Sequence, residues 1–335
     1  MKDRLLTLVV AGIALAVCVV VLGAYTRLVD AGLGCPDWPG CYGLIGVPET
    51  PAEIAAAEAA FPDAPVEVDK AWPEMVHRYF ATALGALILG ILGFAAWRKD
   101  SLRLPAILTL MVIVQGAFGA WTVTLKLWPQ VVTAHLLGGM ATLATLWLYA
   151  LLLARPRLPS LPDMRRLAAA SLGVVILQIA LGGWVSANYA GLACPDFPLC
   201  HGEVVPPLDI AQGFDITQDV GPNYLGGQLD SEARIAIQIA HRLGAVLVLG
   251  VVGLLCVRLH RAGQRLLAGA VAAALGLQWV LGVANVLAAL PLPLAVLHNA
   301  FAGALLLAVV TVNFAAFGRL PRRRSVPAAG AASVH

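Results

Sequence analysis

The chain has 335 residues, of which 60% are hydrophobic and only 12% are charged, and its formal net charge is +3. Soluble domains carry roughly a quarter charged residues, so this composition excludes an ordinary soluble protein and indicates an integral membrane protein. The apolar runs are continuous and do not alternate with polar residues, which excludes a transmembrane β-barrel. The small net charge gives no reason to expect a nucleic-acid partner.

Eight apolar runs are each long enough to cross a hydrocarbon core of about 30 Å as an α-helix. The sequence therefore predicts an all-α integral membrane protein with helices near residues 5–27, 75–97, 104–125, 130–153, 167–188, 234–257, 264–288 and 292–317. The first run lacks a small-x-small cleavage site, so we interpret it as an uncleaved span and not as a secretory signal. The Ala- and Glu-rich segment 51–61 is expected to form a short surface helix.

The basic residues predict the orientation of these helices. Most of the 22 Lys and Arg residues fall in the termini and in the loops on one side of the membrane. Because basic loops stay in the cytoplasm, both termini are expected there, and segment 319–335 is interpreted as a basic cytoplasmic tail. The long loops after the first and fifth helices are expected on the outer, periplasmic side of a bacterial inner membrane.

A heptapeptide of the pattern Cys-Pro-Asp-aromatic-Pro-x-Cys occurs twice, at 35–41 and at 194–200, with a constant offset of 159 residues. Chance rarely produces such a match, so the sequence predicts a tandem duplication. Each half is expected to be a four-helix bundle, formed by residues 1–158 and 159–318. Four-helix bundles commonly hold cofactors between facing helices.

Four histidines occupy matched positions near the outer ends of the predicted helices. His77 and His135 lie in the first half, and His241 and His298 follow them at offsets of 164 and 163 residues. Ionisable side chains inside a membrane are costly and usually face a functional interior. No repeated Cys, His or carboxylate completes a zinc or copper site, whereas two axial imidazoles suit a six-coordinate haem iron. Since there is no Cys-x-x-Cys-His motif, the pattern favours non-covalent haem over a purely structural role.

The halves differ at one position beside these histidines. Glu74 stands three residues before His77, on the same helical face, and the corresponding residue before His241 is Gln238. A carboxylate can move protons and an amide cannot, which makes the first half the candidate site of chemistry. The alternative interpretation is a glutamate that caps the start of the helix.

Arg78 and Arg242 directly follow two of the histidines. A guanidinium near the membrane interface is a candidate partner for haem propionates. An equally weighted alternative is that both side chains reach towards lipid headgroups.

The cysteines of the repeated heptapeptide are expected on the oxidising side of the membrane, where disulfides persist. Pairing Cys35 with Cys41 and Cys194 with Cys200 would close two small loops. A structural disulfide is favoured for the second pair. For the first pair, beside Glu74, a redox or haem-handling role stays open.

Taken together, these residues resemble the haem A synthase family, the membrane enzymes that make the haem of terminal oxidases. The resemblance spans the chain from the first to the eighth helix. It rests on Glu74-Met-Val-His77-Arg78, Thr133-Ala134-His135, Ala240-His241-Arg242, Leu297-His298-Asn299 and both Cys-Pro-Asp loops.

The resemblance implies a reaction in which the C8 methyl of haem O is oxidised to a formyl group by successive hydroxylation. The intermediate diol loses water, and haem A is the product. By the same resemblance, His77 and His135 hold the substrate haem and Glu74 handles protons. His241 and His298 ligate a resident haem b that carries electrons.

The family also implies haem O synthase as the upstream partner and cytochrome oxidase assembly as the downstream process, within membrane lipid. Two other classes stay open. One is a bis-His electron-transfer or haem-carrier protein that does not modify haem, and the other is a thiol–disulfide oxidoreductase in which the cysteines are primary. The sequence leaves the electron acceptor and the oligomeric state unknown.

Overall fold

The computed structural model describes residues 2–318, with side chains from residue 4 onward. This part of the chain consists of helices and loops, with one 3₁₀ turn at Pro162–Met164 and two isolated β-bridges. Eight of the described helices are long and apolar enough to cross a membrane, which confirms the predicted class and number of spans. The basic tail predicted at 319–335 lies outside the described residues.

Ten helices are present in this range, and all except α2 and α7 are membrane-spanning by length and composition. In chain order they are α1 (Lys2–Leu28), α2 (Pro51–Ala60), α3 (Val68–Trp97), α4 (Arg103–Thr124), α5 (Pro129–Ala154), α6 (Arg165–Ala187), α7 (Ile210–Gly213), α8 (Ser231–Arg261), α9 (Arg265–Leu287) and α10 (Leu292–Phe317). Helix α3 begins well before the predicted residue 75. Hydropathy marks only the part of a helix that meets lipid, whereas backbone hydrogen bonding continues outward through polar residues.

The short surface helix predicted at 51–61 is confirmed as α2. Thr50 and Glu53 form a capping box in which the Glu53 N–H donates to Thr50 Oγ1 and the Thr50 N–H donates to Glu53 Oε2. Pro51 occupies the first turn, where its missing N–H costs nothing. These local signals begin the helix without help from tertiary packing.

The membrane-spanning helices pack in two sets with the same pattern of neighbours. In the first set, α3 packs against α1 and α4, and α5 contacts α4 and α1. The same contacts recur among α6, α8, α9 and α10. The two sets meet through α1, α5, α6 and α10, where Trp147 Nε1 donates a 2.8 Å hydrogen bond to Thr311 Oγ1.

The C-terminal ends of α1 and α6 are linked by a polar cluster. Arg27 donates to the carbonyl oxygen of Ser186, and its guanidinium lies 4.0 Å from the centre of the Tyr189 ring. The Tyr189 hydroxyl donates to Asp30 Oδ1 over 2.9 Å. Both hydrogen-bonded pairs are separated by 159 positions, which is the offset between the two cysteine loops.

Candidate functional site

Each of the four predicted histidines lies against a glycine of a neighbouring helix. A Cβ atom built on that glycine would lie 2.9 to 3.6 Å from the imidazole Cε1. The close approach lets each ring enter the space between two helices. The four contacts are Gly23 on α1 with His77 on α3, Gly119 on α4 with His135 on α5, Gly182 on α6 with His241 on α8, and Gly282 on α9 with His298 on α10.

The histidines are brought together as two pairs. His77 and His135 are close enough to interact electrostatically, and so are His241 and His298. Among the described residues, Nδ1 of three of these rings is buried without a hydrogen-bond partner, and only His241 Nδ1 has one, Gln178. Buried polar atoms are normally paired, so three orphaned ring nitrogens indicate a site shaped for an additional ligand. Two imidazoles per site fit an axially ligated haem iron.

Glu74 is buried in α3, with 5% of its surface exposed. Its Oε2 accepts from the Cys35 backbone N–H over 3.0 Å, and its Oε1 is paired with Arg78. It lies beyond the first turn of α3, so a helix-capping role is wrong. Gln238 is equally buried, but it donates to the carbonyl oxygen of Gly191 over 3.2 Å. The first half therefore buries a carboxylate with its counter-ion where the second half buries a neutral amide.

Both arginines hold a cysteine loop against its helix. Arg78 donates to the carbonyl oxygens of Asp37, at 3.0 Å, and of Gly40. Arg242 donates to those of Leu199, at 2.7 Å, and Asp196, at 2.8 Å. Sequence reasoning did not predict this role, although the matched position of each arginine relative to its cysteine loop was a signal that could have found it.

The two cysteine loops have the same construction. Cys35 and Cys41 form one disulfide, and Cys194 and Cys200 form the other. In each loop the carboxylate of the aspartate in the repeated heptapeptide accepts hydrogen bonds from two backbone N–H groups of the turn. Asp37 accepts from residues 42 and 43, and Asp196 accepts from residues 201 and 202, all at 2.7 to 2.8 Å.

The Asp196 carboxylate is stabilised in its charged form. The Gly202 N–H bond, followed by that of residue 201, holds the pKa of Asp196 below its usual value. Sequence analysis recorded this aspartate as part of the heptapeptide but gave it no role. An aspartate six residues before a glycine does not by itself predict which backbone N–H groups will donate hydrogen bonds to it.

The fold and the site define a multi-pass membrane protein with paired internal histidines and two disulfide-closed loops. The family described as "Cytochrome oxidase assembly protein" matches residues 6–310. "Heme A synthase" of Shewanella oneidensis is 46% identical over 303 residues, covering 88% of this chain and 92% of the relative. "Heme A synthase" of Caulobacter vibrioides is 33% identical over 328 residues, covering 89% and 91%.

The chain therefore belongs to the haem A synthase family of cytochrome oxidase assembly proteins, which confirms the resemblance inferred from the sequence. Membership of this family makes the chain an enzyme of the oxidoreductase class.

Proposed function

We propose that this protein converts haem O into haem A. It oxidises the C8 methyl to a formyl group by successive hydroxylation, and the intermediate diol loses water. The names of its relatives support the overall activity. The observation that carries the proposed mechanism is the contrast between Glu74 and Gln238 at otherwise matching sites.

In this proposal the first half, residues 1–158, binds haem O between His77 and His135. Glu74 lies about one turn from His77 on α3, and its carboxylate is held in place by Arg78 and by the Cys35 N–H. A carboxylate held in this position takes up and releases protons as the methyl carbon is oxidised. Gln238 has no ionisable proton to exchange, so the second half lacks this capacity.

The second half, residues 159–318, then holds haem b between His241 and His298. When bound, haem b supplies one-electron transfer. We further propose that Arg78 and Arg242 bind haem propionates through the guanidinium N–H groups that do not donate to the loop carbonyl oxygens. In support, Nε of Arg242 is buried and has no hydrogen-bond partner among the described residues.

We also propose that the halves are tandem duplicates with both termini in the cytoplasm. The recurring helix contacts and the 159-residue offset across Arg27 and Ser186 support the duplication. The disulfide loops would then face the periplasm of a bacterial inner membrane, an oxidising compartment. Haem O synthase would supply the substrate, and cytochrome oxidase assembly would consume the product.

The test is Glu74→Gln, which copies the second-half residue into the first half. Parent and variant membranes are supplied with haem O, and the haems are then extracted and separated. We expect conversion to fall at least about a hundredfold, with total bound haem unchanged. The matched control is Glu53→Gln, which removes an exposed carboxylate of α2 and should convert haem O at the parent rate. Conversion by Glu74→Gln at the parent rate would contradict the proposal and favour a haem carrier.

A further inference from the structure

The corresponding helices α4 and α9 differ in one side chain beside the histidine pairs. On α9 this residue is Trp279. Shifting it back by 163 residues, the offset between the second histidines of the two halves, gives Gly116 on α4. The structure supports this register, because residues 126–127 and 289–290, which follow the two helices at the same offset, all adopt left-handed backbone conformations. A large aromatic side chain in the second half therefore corresponds to no side chain in the first.

Both positions lie on the helix face that meets the histidines. Gly116 stands three residues before Gly119, which packs against the second histidine of the first half. Trp279 stands three residues before Gly282, which packs in the same way in the second half. Residues three apart are neighbours on one face of a helix. Each of the two positions is therefore part of the wall of its histidine site.

In the second half, Trp279 closes this wall against the disulfide loop. Its ring meets the ring of Phe197 edge to face, with centroids 6.2 Å apart and an interplanar angle of 86°. This arrangement is a favourable one for two aromatic rings. The Arg242 guanidinium lies 5.7 Å from the centre of the same Phe197 ring. Arg242 on α8, Phe197 on the loop and Trp279 on α9 thus form a continuous barrier between the two helices.

The first half has no matching barrier. The residue that corresponds to Phe197 is Trp38, which is 46% exposed and is not paired with another aromatic ring in the described part of the chain. A Cβ atom built on Gly116 would meet no atom within 4 Å. Phe118 and Trp121 pair with each other on other faces of α4, since each residue turns a helix by about 100°. Position 116 therefore borders open space where the second half is closed.

The two haems of the proposed function differ in one substituent that such a wall can detect. Haem O carries a long isoprenoid chain where haem b carries a small vinyl group. Lipid is as apolar as this chain, so burying the chain in the protein gives little gain inside a membrane. Selection between the two haems then depends on a clash that excludes one of them. A site for haem O needs a gap in its wall, and a site reserved for haem b needs that gap filled.

We infer that Gly116 leaves the gap between α3 and α4 through which the isoprenoid chain of haem O passes, whereas Trp279 and Phe197 exclude this chain from the second half. Gly116 and Trp279 are then the residues that determine which haem each half accepts. The inference rests on the proposed function and deepens it, because it names the side chains that separate the substrate haem from the resident haem.

The experiment measures haem choice in full-length chains in detergent. The His241→Ala chain, in which only the first half is expected to bind haem, is incubated with equal amounts of haem O and haem b. Bound haems are extracted and separated, and any haem A is counted with haem O. Adding Gly116→Trp should lower the ratio of bound haem O to bound haem b about tenfold, since overpacking penalises only the haem with the chain.

Gly90→Trp is the matched control in the same chain. Gly90 is an exposed glycine of α3 at which a Cβ atom would also meet no atom within 4 Å. It lies more than three turns from His77, so the same replacement there should leave the ratio unchanged. If Gly90→Trp lowers the ratio as much as Gly116→Trp does, the effect is not specific to the site and the inference is wrong.

The reciprocal variant removes a side chain, so it tests the inference even if Gly116→Trp does not fold. In the His77→Ala chain, in which only the second half is expected to bind haem, Trp279→Gly should raise the ratio of haem O to haem b about tenfold. A ratio that stays at the parent value in this variant would overturn the inference.

These ratios are measured without any conversion of haem O, so the two proposals can fail separately. Unchanged ratios in a protein that converts haem O would overturn the inference alone. Ratios that shift as expected in a protein that never converts haem O would overturn the proposed function alone. A His241→Ala chain that binds neither haem would overturn both.

Discussion

The carboxylate of Glu74 accepts a hydrogen bond from the backbone N–H of Cys35, 3.0 Å away. Arg78 pairs with the same carboxylate and also donates to the carbonyl oxygens of the loop that Cys35 begins. The candidate proton-handling residue is therefore coupled to the first disulfide loop. In the second half the corresponding amide bonds to Gly191, ahead of its disulfide.

The first prediction concerns this coupling. Replacing Cys35 and Cys41 by serine removes the disulfide that closes the loop. The backbone N–H of residue 35, which donates to Glu74, is then held less firmly in position. Since displacements of about 1 Å can cost a large factor in rate, we expect haem O conversion to fall roughly tenfold while bound haem is retained. Conversion and haem content are measured on the same membranes.

The matched control replaces Cys194 and Cys200 by serine. That loop lies beside the amide of Gln238 and not beside a carboxylate, so haem O conversion should fall less than in the first-loop variant. Equal losses in the two variants would show that the disulfides act only through general stability.

The second prediction uses the glycines that face the histidines. A Cβ atom at position 23 would lie 2.9 Å from His77 Cε1, closer than real Cβ contacts, whereas one at position 119 would lie 3.6 Å from His135 Cε1, an ordinary contact. We therefore expect Gly23→Ala to weaken haem O binding about tenfold and Gly119→Ala to change it little. A spectral titration with haem O measures both. A larger effect for Gly119→Ala would contradict the geometry.

The third prediction is a pH dependence in the second loop. The bonds from residues 202 and 201 lower the pKa of Asp196 below its usual 3.8. Stabilisation by this carboxylate is thus fully present above that value and is lost as the pH falls through the lower, folded-state pKa. We expect Asp196→Asn to speed opening of the Cys194–Cys200 disulfide by a phosphine roughly threefold. The difference from the parent should be constant between about pH 5 and 8, and it should disappear at low pH.

The sequence predicted the eight spans because long apolar runs leave a chain few other structures inside a membrane. It also predicted the two long loops and, from an Ala- and Glu-rich composition, the short helix α2. The start of α3 was misplaced by the hydropathy criterion, since Val68 to Trp72 are helical without being continuously apolar. These successes and this error all concern local properties of the chain.

The contacts of the site were harder to predict because they join distant segments. Glu74 was singled out from the repeat, but its bond to Cys35 depends on how the loop folds back onto α3. The glycines opposite the histidines lie on neighbouring helices, and only the helix packing shows which glycine meets which ring. Gln178 lies on a different helix from His241, and only the helix packing shows that the two side chains are in contact.

The most direct test of the account is to extract and separate the haems of the parent, His77→Ala and His241→Ala proteins after expression with ample haem supply. The account predicts haem b together with haem O or haem A in the parent. His77→Ala should keep haem b and lose the other haem, whereas His241→Ala should lose haem b. A parent protein without haem, or two variants with the same haem loss, would contradict the assignment of substrate and carrier to separate halves.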